Sequence, residues 1–168
     1  MKKLLKLILT GFSLLNIWSC TQKNTFKLTA SLPLTIAYDA SVEAAATNNA
    51  LQLLLGDMEA VLSVKPQVIT DLQADMLIGT LGKSAVIQKL IDDRLLSVSE
   101  IEGKGDAFIL SVVNVNKKPT LVVVGSDRRG TAYGLLEISR LMGVSPWEWW
   151  ADATPKPLKE FTLPEWVM

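Results

Sequence analysis

The chain has 168 residues, and its 17 basic residues balance its 17 acidic residues, so the formal net charge is zero. This length and a hydrophobic fraction of 49% favour a single globular domain, and the charge balance gives no support for a nucleic-acid-binding surface. Histidine is absent and Cys20 is the only cysteine, which excludes Ser-His-Asp triads, Cys-His dyads, histidine-ligated zinc and an internal disulfide.

The first residues of the chain have the pattern of a lipoprotein signal peptide. Three lysines precede the apolar stretch Leu7–Trp18, whose twelve residues are fewer than the ~20 that a membrane-spanning helix needs. The lysines are Lys2, Lys3 and Lys6. The sequence Ile17-Trp18-Ser19-Cys20 resembles a bacterial lipobox, in which the cysteine thiol is lipidated, although Trp18 replaces the usual small residue. A conventional signal peptide followed by an unrelated cysteine is the alternative.

This pattern also predicts where the protein is located. We expect residues 1–19 to be a signal peptide of the lipoprotein type and the polar residues 20–30 to be a tether. Lipidation of Cys20 would anchor the protein to a membrane. We therefore expect a secreted bacterial lipoprotein, in the periplasm or on the outer-membrane surface.

The next part of the chain predicts a strand, a long helix and two further strands. Leu34–Tyr38 alternates apolar with small or polar residues, which indicates a strand. Apolar residues at helical spacing predict a helix over Val42–Ser63, with Ser41 as its cap and Glu43 near its positive end. The stripe consists of Ala50, Leu51, Leu54, Leu55, Met58, Val61 and Leu62. Two short β-rich runs follow, at Gln67–Thr70 and Asp75–Gly79.

The remainder predicts two helices and a hairpin. Ser84–Asp93 has a helical pattern, and its apolar positions are Ala85, Ile87, Leu90 and Ile91. The β-rich runs Phe108–Val113 and Leu121–Val124 are separated by turn residues and predict a hairpin. A last helix is predicted over Arg129–Met142, with Gly143 ending it. Its apolar stripe consists of Leu135, Ile138 and Met142.

The predicted order of elements is β-α-β-β-α-β-β-α. This order is typical of an α/β fold, of α+β-like character, in which about three helices pack a small mixed sheet. We expect the domain to occupy residues 31–144 and an aromatic, proline-containing linker to occupy residues 145–168.

Two glycine-containing stretches follow predicted strands. Gly79-Thr80-Leu81-Gly82-Lys83-Ser84 ends like a P-loop, but Gly79 lies two residues too late for the phosphate-wrapping loop, so a tight turn capped by Ser84 explains it better. Gly125-Ser126-Asp127-Arg128-Arg129-Gly130-Thr131 opens the last helix. Its backbone N–H groups and two arginines suit a carboxylate or another anion. The favoured alternative is that Asp127 caps the helix and pairs with an arginine, while Gly130 and Gly134 allow close packing on the sheet.

Three tryptophans, Trp147, Trp149 and Trp150, fall within four residues. In an extended segment Trp147 and Trp149 would share one side and Trp150 the other. Such rings can stack on sugars, or they can pack at an interface with another domain, which we favour. The acids Asp92, Asp93, Glu100 and Glu102 form no pair that flanks a cleft, as glycoside hydrolysis would require.

The run Val122–Pro155 resembles the N-terminal domain of glycoside hydrolase family 115. The matching pieces are Gly125-Ser126-Asp127-Arg128-Arg129-Gly130-Thr131, Tyr133-Gly134, Ser139-Arg140, Gly143-Val144-Ser145-Pro146-Trp147 and Trp149-Trp150-Ala151-Asp152. Members of this family are α-glucuronidases that remove glucuronic acid or 4-O-methylglucuronic acid from xylan side chains. The strand and helix order upstream agrees with this resemblance.

The resemblance implies an α/β domain that precedes a catalytic barrel, with the tryptophans at the junction. The family's catalytic carboxylates belong to that barrel, which needs about 250 residues. This chain has no room for one, so we expect a domain truncated before the barrel, to which no catalytic residue transfers. Asp127, Arg128 and Arg129 remain candidates for substrate contact near the mouth of the active site.

Three functional interpretations follow. The first is the non-catalytic N-terminal domain of a surface α-glucuronidase, whose partners are the catalytic barrel, a xylan-type polysaccharide and the membrane that holds its lipid anchor. The second is a stand-alone carbohydrate-binding surface lipoprotein that uses the three tryptophans. The third is an anion- or nucleotide-binding α/β protein. We expect no cofactor, no metal and no nucleic-acid partner.

Overall fold

The computed structural model of the chain describes residues 25–151 and 153–164. The elements within these ranges are β1 (Thr25–Thr29), β2 (Thr35–Ala37), α1 (Ala45–Leu62), β3 (Gln67–Ile69), β4 (Met76–Thr80), α2 (Ala85–Asp92), β5 (Phe108–Val115), β6 (Lys118–Gly125), α3 (Arg128–Leu141), α4 (Glu148–Ala151) and β7 (Glu160–Pro164). None of these helices is both long enough and apolar enough to cross a membrane.

Five of the strands form one mixed sheet in the order β3-β2-β4-β6-β5. All neighbours are parallel except β5, which forms an antiparallel hairpin with β6. Inside the sheet, β4 is buried throughout and β6 is buried from Thr120 to Gly125, as expected for parallel strands covered on both faces. The predicted α/β class, the mixed sheet, the hairpin and the eight predicted elements are therefore confirmed.

The helices pack on both faces of the sheet and create two apolar clusters. The first cluster joins α1 and α3 to one face of the sheet, and the second joins α2 and the segment after it to the other face. Every residue of the stripes predicted for α1 and α3 is buried. In α2 only Ile87 and Leu90 are buried, whereas Ala85 is exposed, because this short helix contacts the sheet along a narrow line.

Two strands that the sequence analysis did not predict form a separate ribbon. β1 pairs antiparallel with β7, so that Thr25 lies opposite Pro164 and Thr29 opposite Glu160. Four side chains from the inner face of this ribbon are buried in the first cluster, namely Phe26, Leu28, Phe161 and Leu163. Residues 25–29, which the sequence analysis placed in the tether, therefore form a strand, and so do residues 160–164, which it placed in the linker. The predicted signal peptide and the lipidation site Cys20 lie outside the described residues.

The start of α1 also differs from the prediction. The helix begins at Ala45, and its first turn has no side-chain cap. The backbone N–H and the hydroxyl of Ser41 instead donate to the Asp39 carboxylate, at 2.9 and 2.5 Å. Ser41 therefore closes a local turn before the helix, which is a common alternative use of serine near helix starts.

Candidate functional site

The carboxyl ends of β4 and β6 and the start of α3 enclose a cavity of about 600 Å³, which we name the strand-end cavity. Ligands of open α/β sheets usually bind at this edge, outside the carboxyl ends of the parallel strands. The charged side chains that line the cavity are Glu43, Lys83, Asp106, Asp127, Arg128 and Arg129. The structure thus brings the three predicted site residues together at one edge of the sheet.

Asp127 is the N-cap of α3. One carboxylate oxygen accepts the N–H groups of Gly130 at 2.8 Å and Arg129 at 2.9 Å, and the other accepts the N–H of Asp106 at 2.9 Å. These hydrogen bonds, that from Gly130 above all, hold the pKa of Asp127 below its usual range. The predicted cap is confirmed. The Asp127 carboxylate already accepts these N–H groups. An anion could bind at the helix start only by displacing the carboxylate, which would also repel it.

The two arginines behave differently from each other. The Arg129 guanidinium lies 3.0 Å from the Asp106 carboxylate and donates to the Tyr133 hydroxyl at 3.3 Å. The ion pair predicted for Asp127 is therefore made by Asp106, while Asp127 receives only the backbone N–H of Arg129. Arg128 is exposed, and within the described ranges its guanidinium has neither a hydrogen-bond nor an ion-pair partner. Contact of these residues with substrate stays a prediction.

Glu43 closes the opposite wall of the strand-end cavity. Its carboxylate accepts the Thr80 N–H at 2.7 Å and the Thr80 hydroxyl at 2.6 Å, which ties the segment before α1 to the end of β4. The Thr80 and Thr131 hydroxyls lie 2.7 Å apart and extend this network to α3. The sequence analysis placed Glu43 at the helix start. Its pairing with Thr80 could not be predicted from neighbouring residues, because the two residues are 37 positions apart in the sequence.

The P-loop-like stretch forms the predicted tight turn. The hydroxyl of Ser84 accepts the N–H of Ile87 at 3.4 Å and caps α2, which begins at Ala85. Lys83 is exposed and, in the part of the chain that the structure describes, its ammonium group has no partner. The turn is therefore explained by helix capping.

The glycines of α3 allow the helix to approach the sheet, as predicted. A Cβ atom at Gly130 would lie 2.1 Å from the carbonyl oxygen of Ala107, and one at Gly134 would lie 2.8 Å from a methyl group of Val123. Both distances are too short for any side chain, so the position of α3, and with it the Asp127 cap, depends on these two glycines.

Trp149 and Trp150 lie on α4, a single turn of helix, and Trp147 lies in the turn before it. The segment is therefore not extended, and the alternation of sides expected for an extended segment does not apply. Trp147 is 66% exposed and Trp150 is 84% exposed, while the Trp149 side chain lies outside the described part of the structure. Trp150 lines an apolar groove of about 510 Å³ between α1 and α3. We name it the α1–α3 groove, and its apolar wall consists of Leu53, Tyr133, Leu136, Val144 and Trp150.

The acids considered in the sequence analysis lie away from both concavities. Asp92 accepts from the Gln88 amide at 2.9 Å, and Asp93 pairs with Lys89 at 3.0 Å on the exposed face of α2. Glu100 and Glu102 are exposed in the loop that follows. Across residues 25–151 and 153–164 no three acidic, cysteine or histidine side chains lie close enough together to hold a metal ion.

Comparison with known proteins relates this chain to carbohydrate-active enzymes. A sequence model of the family described as glycosyl hydrolase family 67 N-terminus matches residues 21–138. The solved structure of BtGH115A is described as a novel family GH115 4-O-methyl-α-glucuronidase with specificity for decorated arabinogalactans. It superposes with a TM-score of 0.75 and 41% sequence identity, over 84% of this chain and 18% of that chain.

A more distant structure supports the fold alone. CpGH84D superposes with a TM-score of 0.52 and 17% identity, over 83% of this chain and 21% of that chain. A search of curated protein sequences gave no match. The chain therefore spans about a fifth of the length of these solved relatives. Because the family model matches most of its residues, and because the predicted likeness to family 115 is confirmed, the chain belongs to the glycosyl hydrolase family 67 N-terminus family and is an N-terminal domain of the glucuronidase type.

Proposed function

We propose that this chain is the non-catalytic N-terminal domain of a secreted α-glucuronidase that removes glucuronic acid or 4-O-methylglucuronic acid from a polysaccharide. The observation that carries the proposal is the 41% identity to a family GH115 4-O-methyl-α-glucuronidase over 84% of this chain. The matched region makes up 18% of that relative, which supports placing the chemistry in the other four fifths.

The carboxyl groups of the domain support a non-catalytic role. Hydrolysis of a glycosidic bond uses two carboxyl groups, one of which serves as a general acid with a raised pKa. In the strand-end cavity Glu43, Asp106 and Asp127 are each held by protein donors. The pKa values of Asp39, Asp75 and Asp127 are lowered from their usual range. A lowered pKa is unsuited to a general acid.

The polysaccharide has two candidates. The resemblance to family 115 favours glucuronoxylan, whereas the relative BtGH115A is described as specific for decorated arabinogalactans. Both polymers therefore belong in the test.

The test compares this chain with the complete product of its gene, obtained by reading the DNA across and beyond codon 168. Release of 4-O-methylglucuronic acid from glucuronoxylan and from arabinogalactan is measured for both proteins. We expect release by the complete product and none by the 168-residue chain. A complete product that is inactive on both polymers would contradict the proposal, and release by the chain alone would contradict its non-catalytic role.

The exposed tryptophans favour one alternative, a stand-alone carbohydrate-binding surface lipoprotein. Aromatic rings as exposed as those of Trp147 and Trp150 could stack on sugar faces. Titration of the chain with each polymer, followed by tryptophan fluorescence, tests this alternative. A saturable change that is lost in Trp150→Ala but kept in Trp166→Ala would support sugar binding. A flat response would favour an interface between domains.

The first residues of the chain support a proposal for its location. Lipidation of Cys20 would hold the protein at the cell envelope. Labelled palmitate supplied to growing cells should enter the protein, and Cys20→Ser should remove the label and release the protein. Equal labelling of the variant would contradict this location.

A further inference from the structure

The α1–α3 groove is a largely apolar concavity on the outer side of the domain. Four of the nine large hydrophobic side chains that are exposed in the described residues line it, and they are Leu53, Tyr133, Leu136 and Trp150, at 40%, 42%, 41% and 84% exposure. A second concavity of about 460 Å³ shares Leu53 and Asp57 with it and continues along α1 to Ala60. Contiguous exposed apolar surface of this kind marks an interaction site.

The polar groups of the groove are poorly suited to a sugar. The Arg140 guanidinium donates two hydrogen bonds to the Glu137 carboxylate, at 2.6 and 2.5 Å, so these two charges satisfy each other. Ser139 is 5% exposed, and its hydroxyl has no hydrogen-bond partner in the described structure. A sugar would need several free polar groups to pair with its hydroxyls. The walls instead suit an apolar side chain from a protein.

We propose, on the basis of the function proposed above, that the α1–α3 groove is the surface on which the catalytic part of the glucuronidase packs. An apolar side chain of that part fills the space between Leu136 and Trp150, and a hydrogen-bonding group beside it pairs with the Ser139 hydroxyl once that hydroxyl rotates. The charged pair of Arg140 and Glu137 forms the polar rim that such interfaces usually have.

The size of the relative indicates that the catalytic part of the enzyme is what packs on the groove. In BtGH115A the matched region is 18% of the chain, so a domain of this kind is joined to a partner several times larger. One wall of the groove is formed by residues that follow α3 and belong to the stretch that resembles family 115, namely Val144, Ser145, Pro146 and Trp150. On the other face of the sheet, Leu95, which follows α2, is 41% exposed and lines a smaller cavity of about 220 Å³.

Thiol labelling of the complete gene product tests the proposal. Leu136→Cys places a thiol in the groove, and Leu95→Cys places one at a site of equal exposure, 41%, beyond the groove. The unsubstituted protein, whose only cysteine within residues 1–168 is Cys20, gives the background. The labelling rate with a charged maleimide is measured for each variant, both in the 168-residue chain and in the complete product.

We expect the two thiols to react at similar rates in the chain alone when it is dilute enough to be monomeric. In the complete product we expect Cys labelling at position 136 to slow by at least about tenfold, while labelling at position 95 is unchanged. If the complete product releases 4-O-methylglucuronic acid and position 136 still reacts as fast as position 95, the docking proposal is wrong and the proposed function stands. If the complete product is inactive and position 136 stays reactive, both are wrong.

Discussion

At the scale of single residues, Asp127 holds the start of α3 against the loop before β5. Asp127→Ala removes the acceptor of three backbone N–H groups, those of Gly130, Arg129 and Asp106. We expect the free energy of unfolding at pH 7 to fall by about 1–2 kcal/mol, as measured by urea denaturation. Asp127→Asn keeps an oxygen at the cap and should lose less. A variant with alanine that is as stable as the unsubstituted protein would contradict the capping role.

The lowered pKa of Asp127 gives this prediction a pH dependence. A carboxyl group whose pKa is lowered by folding stabilises the protein above its unfolded pKa, which is about 3.9 for aspartate. That contribution is lost as the pH falls through the folded pKa. The stability difference between the unsubstituted protein and Asp127→Ala should therefore be constant from pH 7 to about pH 5 and shrink below about pH 4. For Asp127→Asn, the stability relative to the unsubstituted protein should improve over the same low-pH window, because the amide does not titrate.

Alanine substitutions at Gly130 and Gly56 measure the effect of close packing separately from that of helix propensity. A methyl group at Gly130 would meet the Ala107 carbonyl oxygen at 2.1 Å, whereas one at Gly56 meets nothing within 4 Å. We expect Gly130→Ala to destabilise the protein by about 1–3 kcal/mol or more, because α3 must move away from the sheet. Gly56→Ala should stabilise it by about 0.5–1 kcal/mol, because alanine favours the helix interior. Thermal unfolding of both variants measures the contrast, and equal shifts would refute it.

At the scale of elements, the ribbon of β1 and β7 depends on packing and not on its own hydrogen bonds. An isolated two-stranded ribbon is marginal in water, but Phe161 and Phe26 are buried in the first cluster at 6% and 2% exposure. We expect Phe161→Ala to cost about 3–5 kcal/mol, and to make amides of both strands exchange with solvent faster. Thr162→Ala, on the exposed face of β7, should change stability by less than about 0.5 kcal/mol. Unchanged amide exchange in Phe161→Ala would show that the ribbon is held in another way.

The sequence predicted the sheet and its helices well because their signals are local and strong. The stripe of α1 follows the helical period, and β4 and β6 contain short continuous apolar runs. The ribbon was missed although Thr25–Thr29 and Glu160–Pro164 both alternate, since each is only five residues long and its partner lies at the other end of the domain. A period of two in so short a run does not separate a strand from a polar tether.

In the candidate sites as well, contacts between sequence neighbours were predictable and contacts between distant residues were not. The Asp127 cap and the turn at Ser84 were predictable, because capping depends on neighbours in the sequence. The Glu43–Thr80 pair and the α1–α3 groove were not, because they join residues that only the fold brings together, such as Leu53 and Leu136. The pairing of Arg129 with Asp106 was missed for that reason as well.

At the scale of the whole molecule, the uncovered α1–α3 groove predicts that the chain associates with itself when it is studied alone. Trp150 is 84% exposed, and water contact with so large an apolar ring favours burial against another copy. We expect the weight-average sedimentation coefficient of the 168-residue chain to rise with concentration. Trp150→Ser should weaken this association by about tenfold, which corresponds to about 1.4 kcal/mol. Leu95→Ser, which removes an exposed apolar side chain elsewhere, should leave it unchanged. Association that both variants weaken equally would show that the groove has no special part in it.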